Sequence, residues 1–141
     1  MIICDTGGLI AGYDESDPDG PAVRDLLNAD AGSLIVSPFV LAEVDYMMMT
    51  RSGVAAERVL LQDLAFGVYQ VAEFTERDAE RVADLVQRYA DLKLGIADAH
   101  TMCLTRADRY DTRRILTFDH RHFRAVKPQQ GGVFTILPAD L

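Results

Sequence analysis

The chain alternates short apolar runs with longer stretches that repeat on a helical period. Met1-Ile2-Ile3-Cys4-Asp5, Ser33-Leu34-Ile35-Val36, Val68-Tyr69-Gln70-Val71, Arg114-Ile115-Leu116-Thr117-Phe118 and Val133-Phe134-Thr135-Ile136-Leu137 are too short for helices and are bounded by turn residues, so each predicts a strand, the first of them buried. Between them, Leu9-Ile10-Ala11 predicts a short helical turn and Pro21–Ala29 a helix with Val23, Leu26 and Leu27 on one face. Ser37-Pro38 is a cap-and-start signal for a helix through Met49 with Val40, Leu41 and Val44 inward. Val54–Leu64 follows after Gly53, and Thr75 with Asp78 makes a capping-box-like start for a helix to about Tyr89. Ala97–Leu104 is the last predicted helix. Tyr13–Gly20 is polar and punctuated, and predicts a loop.

Strands alternating with helices imply an α/β fold: three α/β/α layers around a mostly parallel sheet. The 141 residues suit one domain, 1–141, without repeat or linker. No apolar run approaches a membrane span and no charged-then-apolar leader opens the chain, so a cytoplasmic protein with no membrane partner is expected. Cys4 and Cys103 lie far apart in apolar segments, which predicts buried free thiols rather than a disulfide or zinc site.

The net charge of −8 argues against simple electrostatic binding of nucleic acid. Its distribution qualifies this. Residues 106–127 hold seven of the 14 basic residues against three acids, a net of +4 beside −12 elsewhere. A basic stretch beside an acidic body suits phosphates if bound cations offset the acids, while the bland reading of each Arg is a solvated helix end or loop.

Four acids stand out by position. Asp5 and Asp119 each end a predicted strand, Asp98 opens a helix, and Glu43 lies one to two turns into the helix after the second strand. Strand ends and helix starts share one edge of a parallel sheet, where ligands of open α/β folds sit. Clustered carboxylates need a proton or cation among them, and oxygen ligands with no nearby Cys or paired His favour Mg²⁺ or Mn²⁺. Such sites activate water and neutralise leaving oxygens in phosphodiester cleavage. The competing reading of Asp5 is a helix N-cap. Asp63 and Asp84 read as solvated charges, Asp45 as a surface or inter-helix partner rather than a ligand, and Tyr13 and Asp14 as loop residues near the first strand's end, with a substrate-lip role open to them. His100, His120 and His122 read as structural or surface residues, although His120 and His122 adjoin Asp119, which leaves an approach to substrate open to one of them.

Ile2-Ile3-Cys4-Asp5-Thr6, Ser37-Pro38-Phe39-Val40-Leu41-Ala42-Glu43-Val44-Asp45, Gly95-Ile96-Ala97-Asp98-Ala99 and Leu116-Thr117-Phe118-Asp119-His120-Arg121-His122-Phe123 occur in an order that resembles the PIN domain family, and specifically its VapC-type toxins. The resemblance implies a PIN-like fold and a metal-dependent ribonuclease with Asp5, Glu43, Asp98 and Asp119 as its acidic cluster. It also implies an antitoxin partner whose side chain, often Arg, enters the acidic site, usually a homodimer, and a structured RNA substrate such as transfer RNA. Gly7 departs from the hydroxyl or amide residue many relatives carry there, which shifts that contact to Thr6 or Thr117. In this reading Asp5, Asp98 and Asp119 bind Mg²⁺ or Mn²⁺, Glu43 holds the ion or orients water, Thr117 supports a carboxylate, and Arg121 or Arg124 grips the RNA backbone.

Two other classes remain. A haloacid-dehalogenase-type phosphatase would also use Asp5, but wants an acid where Gly7 stands. A catalytically inactive module that binds RNA or protein would keep the fold, but idle buried carboxylates cost stability. The apolar helices 40–49 and 54–64 are the expected partner surface; the bland reading is that they pack on each other.

Overall fold

The computed structural model describes residues 1–141. Its five strands are β1 (Ile2–Cys4), β2 (Leu34–Val36), β3 (Tyr69–Val71), β4 (Arg114–Leu116) and β5 (Thr135–Leu137). They pair in the order β3-β2-β1-β4-β5, with every pairing parallel. Parallel neighbours require crossovers, which the seven helices supply: α1 (Thr6–Tyr13), α2 (Gly20–Ala29), α3 (Pro38–Arg51), α4 (Gly53–Ala65), α5 (Glu76–Arg88), α6 (Ile96–Leu104) and α7 (His120–Ala125).

The strand period of two divides the core. Ile2, Cys4, Leu34, Val36, Leu116 and Leu137 face one side, with α1–α4 residues such as Leu9, Val23, Val40 and Leu60 packed on them. Ile3 and Ile35 face the other side with Leu104 of α6, and Ile115 and Ile136 pack there with Met102 and Phe123. The sheet is thus covered on both faces. Its all-parallel order with β1 central places the Asp5 backbone between neighbours, and the Asp5 N–H donates to Leu116 O at 2.9 Å. Close packing at this point needs Gly8. A Cβ there would lie 2.5 Å from Leu116 Cγ and 2.7 Å from Leu116 O, whereas a Cβ at Gly7 would meet nothing nearer than 3.9 Å.

Local signals held where they were strong. Ser37 caps α3 by accepting from Phe39 N–H, and Thr75 with Asp78 forms a full capping box on α5. Cys4 and Cys103 are free and buried. His100 is fully buried as a structural residue: its Nδ1 lies 2.8 Å from Ser37 Oγ, between Phe39 and Phe74, and burial lowers its pKa to about 4.

Several local expectations need correction. The turn at Leu9–Ala11 is part of an eight-residue helix. The fourth strand stops at Leu116, so Asp119 does not end a strand; it caps α7, a helix the sequence pattern did not predict. Tyr13 is no open loop residue: it ends α1, and its hydroxyl donates to Asp63 at 2.6 Å and lies 3.0 Å from the Tyr69 hydroxyl. Asp63 is correspondingly an inter-helix partner rather than a free surface charge.

Candidate active site

β1 hands the chain to α1 at Asp5, and β2 hands it to α3 six residues before Glu43. β4 leads through Thr117 and Phe118 to Asp119 at the start of α7. Asp98 arrives from the opposite direction. It lies in the first turn of α6, and because α6 feeds β4, its N-terminus sits at the edge where the strands end. Parallel topology therefore directs four chain segments to one rim.

Asp5 lies deepest, 5% exposed. Burial raises its pKa to about 6, helped by repulsion from Asp98 and Asp119 and opposed by hydrogen bonds from Thr117 and the Thr6 backbone. Thr117 Oγ1 donates to Asp5 Oδ2 at 2.6 Å and accepts from Asp119 N–H at 3.0 Å, joining β1 to the β4–α7 connection through one hydroxyl. Thr6 Oγ1 donates to Glu43 Oε2 at 2.6 Å, fixing an otherwise exposed carboxylate. With Gly7 lacking a side chain, Thr6 and Thr117 are the residues that supply hydroxyls to this rim.

The half-buried Asp98 carboxyl has a raised pKa: burial is the main cause, Asp119 and Glu43 add repulsion, and His122 acts against them. His122 Nδ1 lies 2.9 Å from both Asp98 Oδ2 and Asp119 Oδ2, while its Nε2 lies 2.9 Å from Leu92 O. One ligand atom from each of Asp98, Asp119 and His122 falls within 4.8 Å of the others. In sequence His122 reads as a structural or surface histidine, or as one that approaches substrate beside Asp119, and not as a partner of Asp98. The available signal was its position three residues after Asp119, which becomes meaningful once Asp119 is known to cap a helix: its Oδ1 accepts from His122 N–H at 3.0 Å.

The basic window is mostly consumed internally. Arg106 is 5% exposed and bonds Asp108; Arg109 reaches Asp78 and Glu73 O; Arg114 pairs with Asp30. Arg124 engages Asp140 with both terminal nitrogens. Arg121 is exposed on α7 and carries no ion pair.

A parallel sheet of order 3-2-1-4-5 with an acidic rim on the strand-end side defines the class. The PIN domain family model matches residues 2–128, and the chain belongs to the PIN domain family. Within that family it is of the VapC type. Ribonuclease VapC26 of Mycobacterium tuberculosis (strain ATCC 25618 / H37Rv) is 45% identical over 137 residues, covering 97% of this chain and all of that protein. The crystal structure of Mycobacterium tuberculosis VapC20, a Sarcin-Ricin loop cleaving toxin, matches with a TM-score of 0.74 over 89% of this chain and 95% of that one. At 20% identity, that match speaks for the fold alone.

Proposed function

We propose that the chain is a metal-dependent endoribonuclease acting as the toxin of a toxin–antitoxin pair. The observation that carries this reading is the rim where Asp5, Asp98 and Asp119 repel one another within one hydrogen-bonded network, with Glu43 adjoining. The ribonuclease relative, which aligns over nearly the whole chain, supports the reaction class.

The donor set fits a hard or borderline divalent cation such as Mg²⁺ or Mn²⁺, since the ligand atoms of Asp98 and Asp119 converge and Asp5 is buried beneath an acidic rim. Asp98 and Asp119, with Asp5 beside them, would hold the ion, and Glu43 would hold it or orient the attacking water. A bound divalent cation supplies a more acidic water and positive charge for the scissile phosphate. Thr117 keeps Asp5 oriented, and Thr6 does the same for Glu43. Arg121 offers a free cation for the RNA backbone, whereas Arg124 must first leave Asp140.

The partner surface lies on α3 and α4. Tyr46, Met49, Val54, Val59, Leu61 and Phe66 are all exposed there, Phe66 to 83%. A broad groove beside them is lined by Tyr13, Leu27, Ala55, Ala56, Val59 and Val68. These features support an apolar antitoxin segment, and a second copy of the chain on the remaining apolar surface. No helix is long and apolar enough to cross a membrane.

The test is RNA cleavage by the purified full chain with Mg²⁺ or Mn²⁺ against EDTA, beside Asp98→Asn matched for folding by circular dichroism. Cleavage is expected to vanish with EDTA and fall by orders of magnitude in the variant. Cleavage that survives both refutes the metal site; folded, metal-loaded protein that cuts no RNA supports the inactive binding module instead. Sequencing RNA ends after induced expression identifies the target, and co-purification with the product of the adjacent reading frame tests the antitoxin.

A further inference from the structure

We infer that His122 is a nitrogen ligand of the divalent cation, completing a set with Asp98 and Asp119, and that it gives this site a preference for Mn²⁺ over Mg²⁺. The inference rests on the metal-site reading above and adds a residue and a selectivity to it.

The first observation is the tautomer. His122 Nε2 lies 2.9 Å from Leu92 O. A carbonyl oxygen only accepts, so Nε2 carries the proton and donates it. That bond fixes the ring plane and leaves Nδ1 as the nitrogen with a lone pair to offer. Metal-bound imidazoles are commonly held this way, one nitrogen on the ion and the other donating to a carbonyl or carboxylate. Leu92 O is itself placed by the 3-10 turn Ala90–Leu92, which the chain leaves through Lys93 at φ 53°.

The second observation is where Nδ1 points. It lies 2.9 Å from Asp98 Oδ2 and 2.9 Å from Asp119 Oδ2. Neighbouring ligand atoms of an octahedral ion with bonds of about 2.1 Å are about 3.0 Å apart. Both distances therefore match an edge of one coordination polyhedron. The third is uniqueness. His100 is buried against Ser37, and His120 is exposed with no carboxylate in ion-pair contact. No other nitrogen of this kind reaches the acidic rim.

The selectivity follows from ligand chemistry. Carboxylates and water serve Mg²⁺ and Mn²⁺ alike, but imidazole favours first-row transition ions, and Mg²⁺ dehydrates reluctantly to take a nitrogen. A rim of acids alone lacks that discrimination. The competing occupant of Nδ1 is a proton, which would make His122 an imidazolium clamp between the two carboxylates and exclude it from the ion.

The experiment is electron spin-echo modulation spectroscopy of Mn²⁺ bound to the full chain, prepared with natural-abundance and with ¹⁵N-labelled histidine. Mn²⁺ and Mg²⁺ affinities are measured alongside by titration without RNA. The expected result is a directly bound nitrogen coupling that changes isotope with the histidine label, survives His120→Ala and disappears in His122→Ala. His122→Ala is expected to weaken Mn²⁺ binding about tenfold or more, with a much smaller effect on Mg²⁺. Bound Mn²⁺ without nitrogen coupling in the wild-type chain overturns the inference and leaves the carboxylate site standing. Failure of Mn²⁺ to bind at all overturns both. The wild-type spectrum decides the matter even if His122→Ala does not fold.

Discussion

Asp5→Asn tests whether burial sets the electrostatics of the rim. In the folded chain the carboxyl is 5% exposed and its pKa is raised from 3.8 to about 6, with burial the largest cause. The folded state therefore keeps the Asp5 proton up to about pH 6, while the unfolded chain releases it near 3.8. The Asp5 contribution to stability is fully present below the unfolded value, declines between the two, and is lost above the folded one. The gap between them corresponds to about 3 kcal/mol, an upper bound for one group. Asn is nearly isosteric, keeps an oxygen to accept from Thr117, and carries no charge. In EDTA at pH 7.5, Asp5→Asn is expected to be more stable than the wild type by up to about 3 kcal/mol, or roughly 10 °C in Tm. The advantage is expected to shrink toward zero near pH 4. Urea denaturation of both proteins across this range is the assay, because the difference between them isolates Asp5 from other titrating groups. A difference independent of pH would refute the argument. Added Mn²⁺ is expected to reverse the order by stabilising the wild type through binding while leaving the variant little changed.

Three further perturbations address separate parts of the structure. Thr117→Val removes the donor to Asp5 and the acceptor for Asp119 N–H, and is expected to cost about 1–3 kcal/mol in urea denaturation and 10–100-fold in metal affinity by titration. Gly8→Ala drives a Cβ into Leu116 and is expected to destabilise by about 1–3 kcal/mol, whereas Gly7→Ala is expected to be near neutral; equal effects would contradict the packing argument. Arg121→Ala is expected to reduce the salt dependence of RNA binding by about one phosphate contact without changing Tm, and Arg124→Ala to do less because Asp140 already holds that guanidinium.

Much of the frame was legible because its signals are local. The five apolar runs became five strands, and Ser37, Thr75 and Gly53 bounded helices as their chemistry dictates. Asp5 could be placed at a strand end because a carboxylate after three buried apolar residues has few other positions in a parallel sheet. α7 was not legible. His120–Ala125 spans six residues and buries only Phe123, too little to show a helical period. Without α7, Asp119 read as the end of a strand and His122 could not be aimed at Asp98.

The sequence by itself determined the layered α/β architecture, the place of Asp5 after the first strand and that of Asp98 in the first turn of a helix, because apolar period and capping act over a few residues. Only the tertiary structure decided which of those groups share one point and which charges are already consumed. Thr117 meets Asp5 across 112 positions and Arg114 meets Asp30 across 84, so their partners exist only once the sheet has formed. The basic stretch that looked available for phosphates is largely tied into such pairs, while His122, an unremarkable residue in one dimension, faces two carboxylates at once.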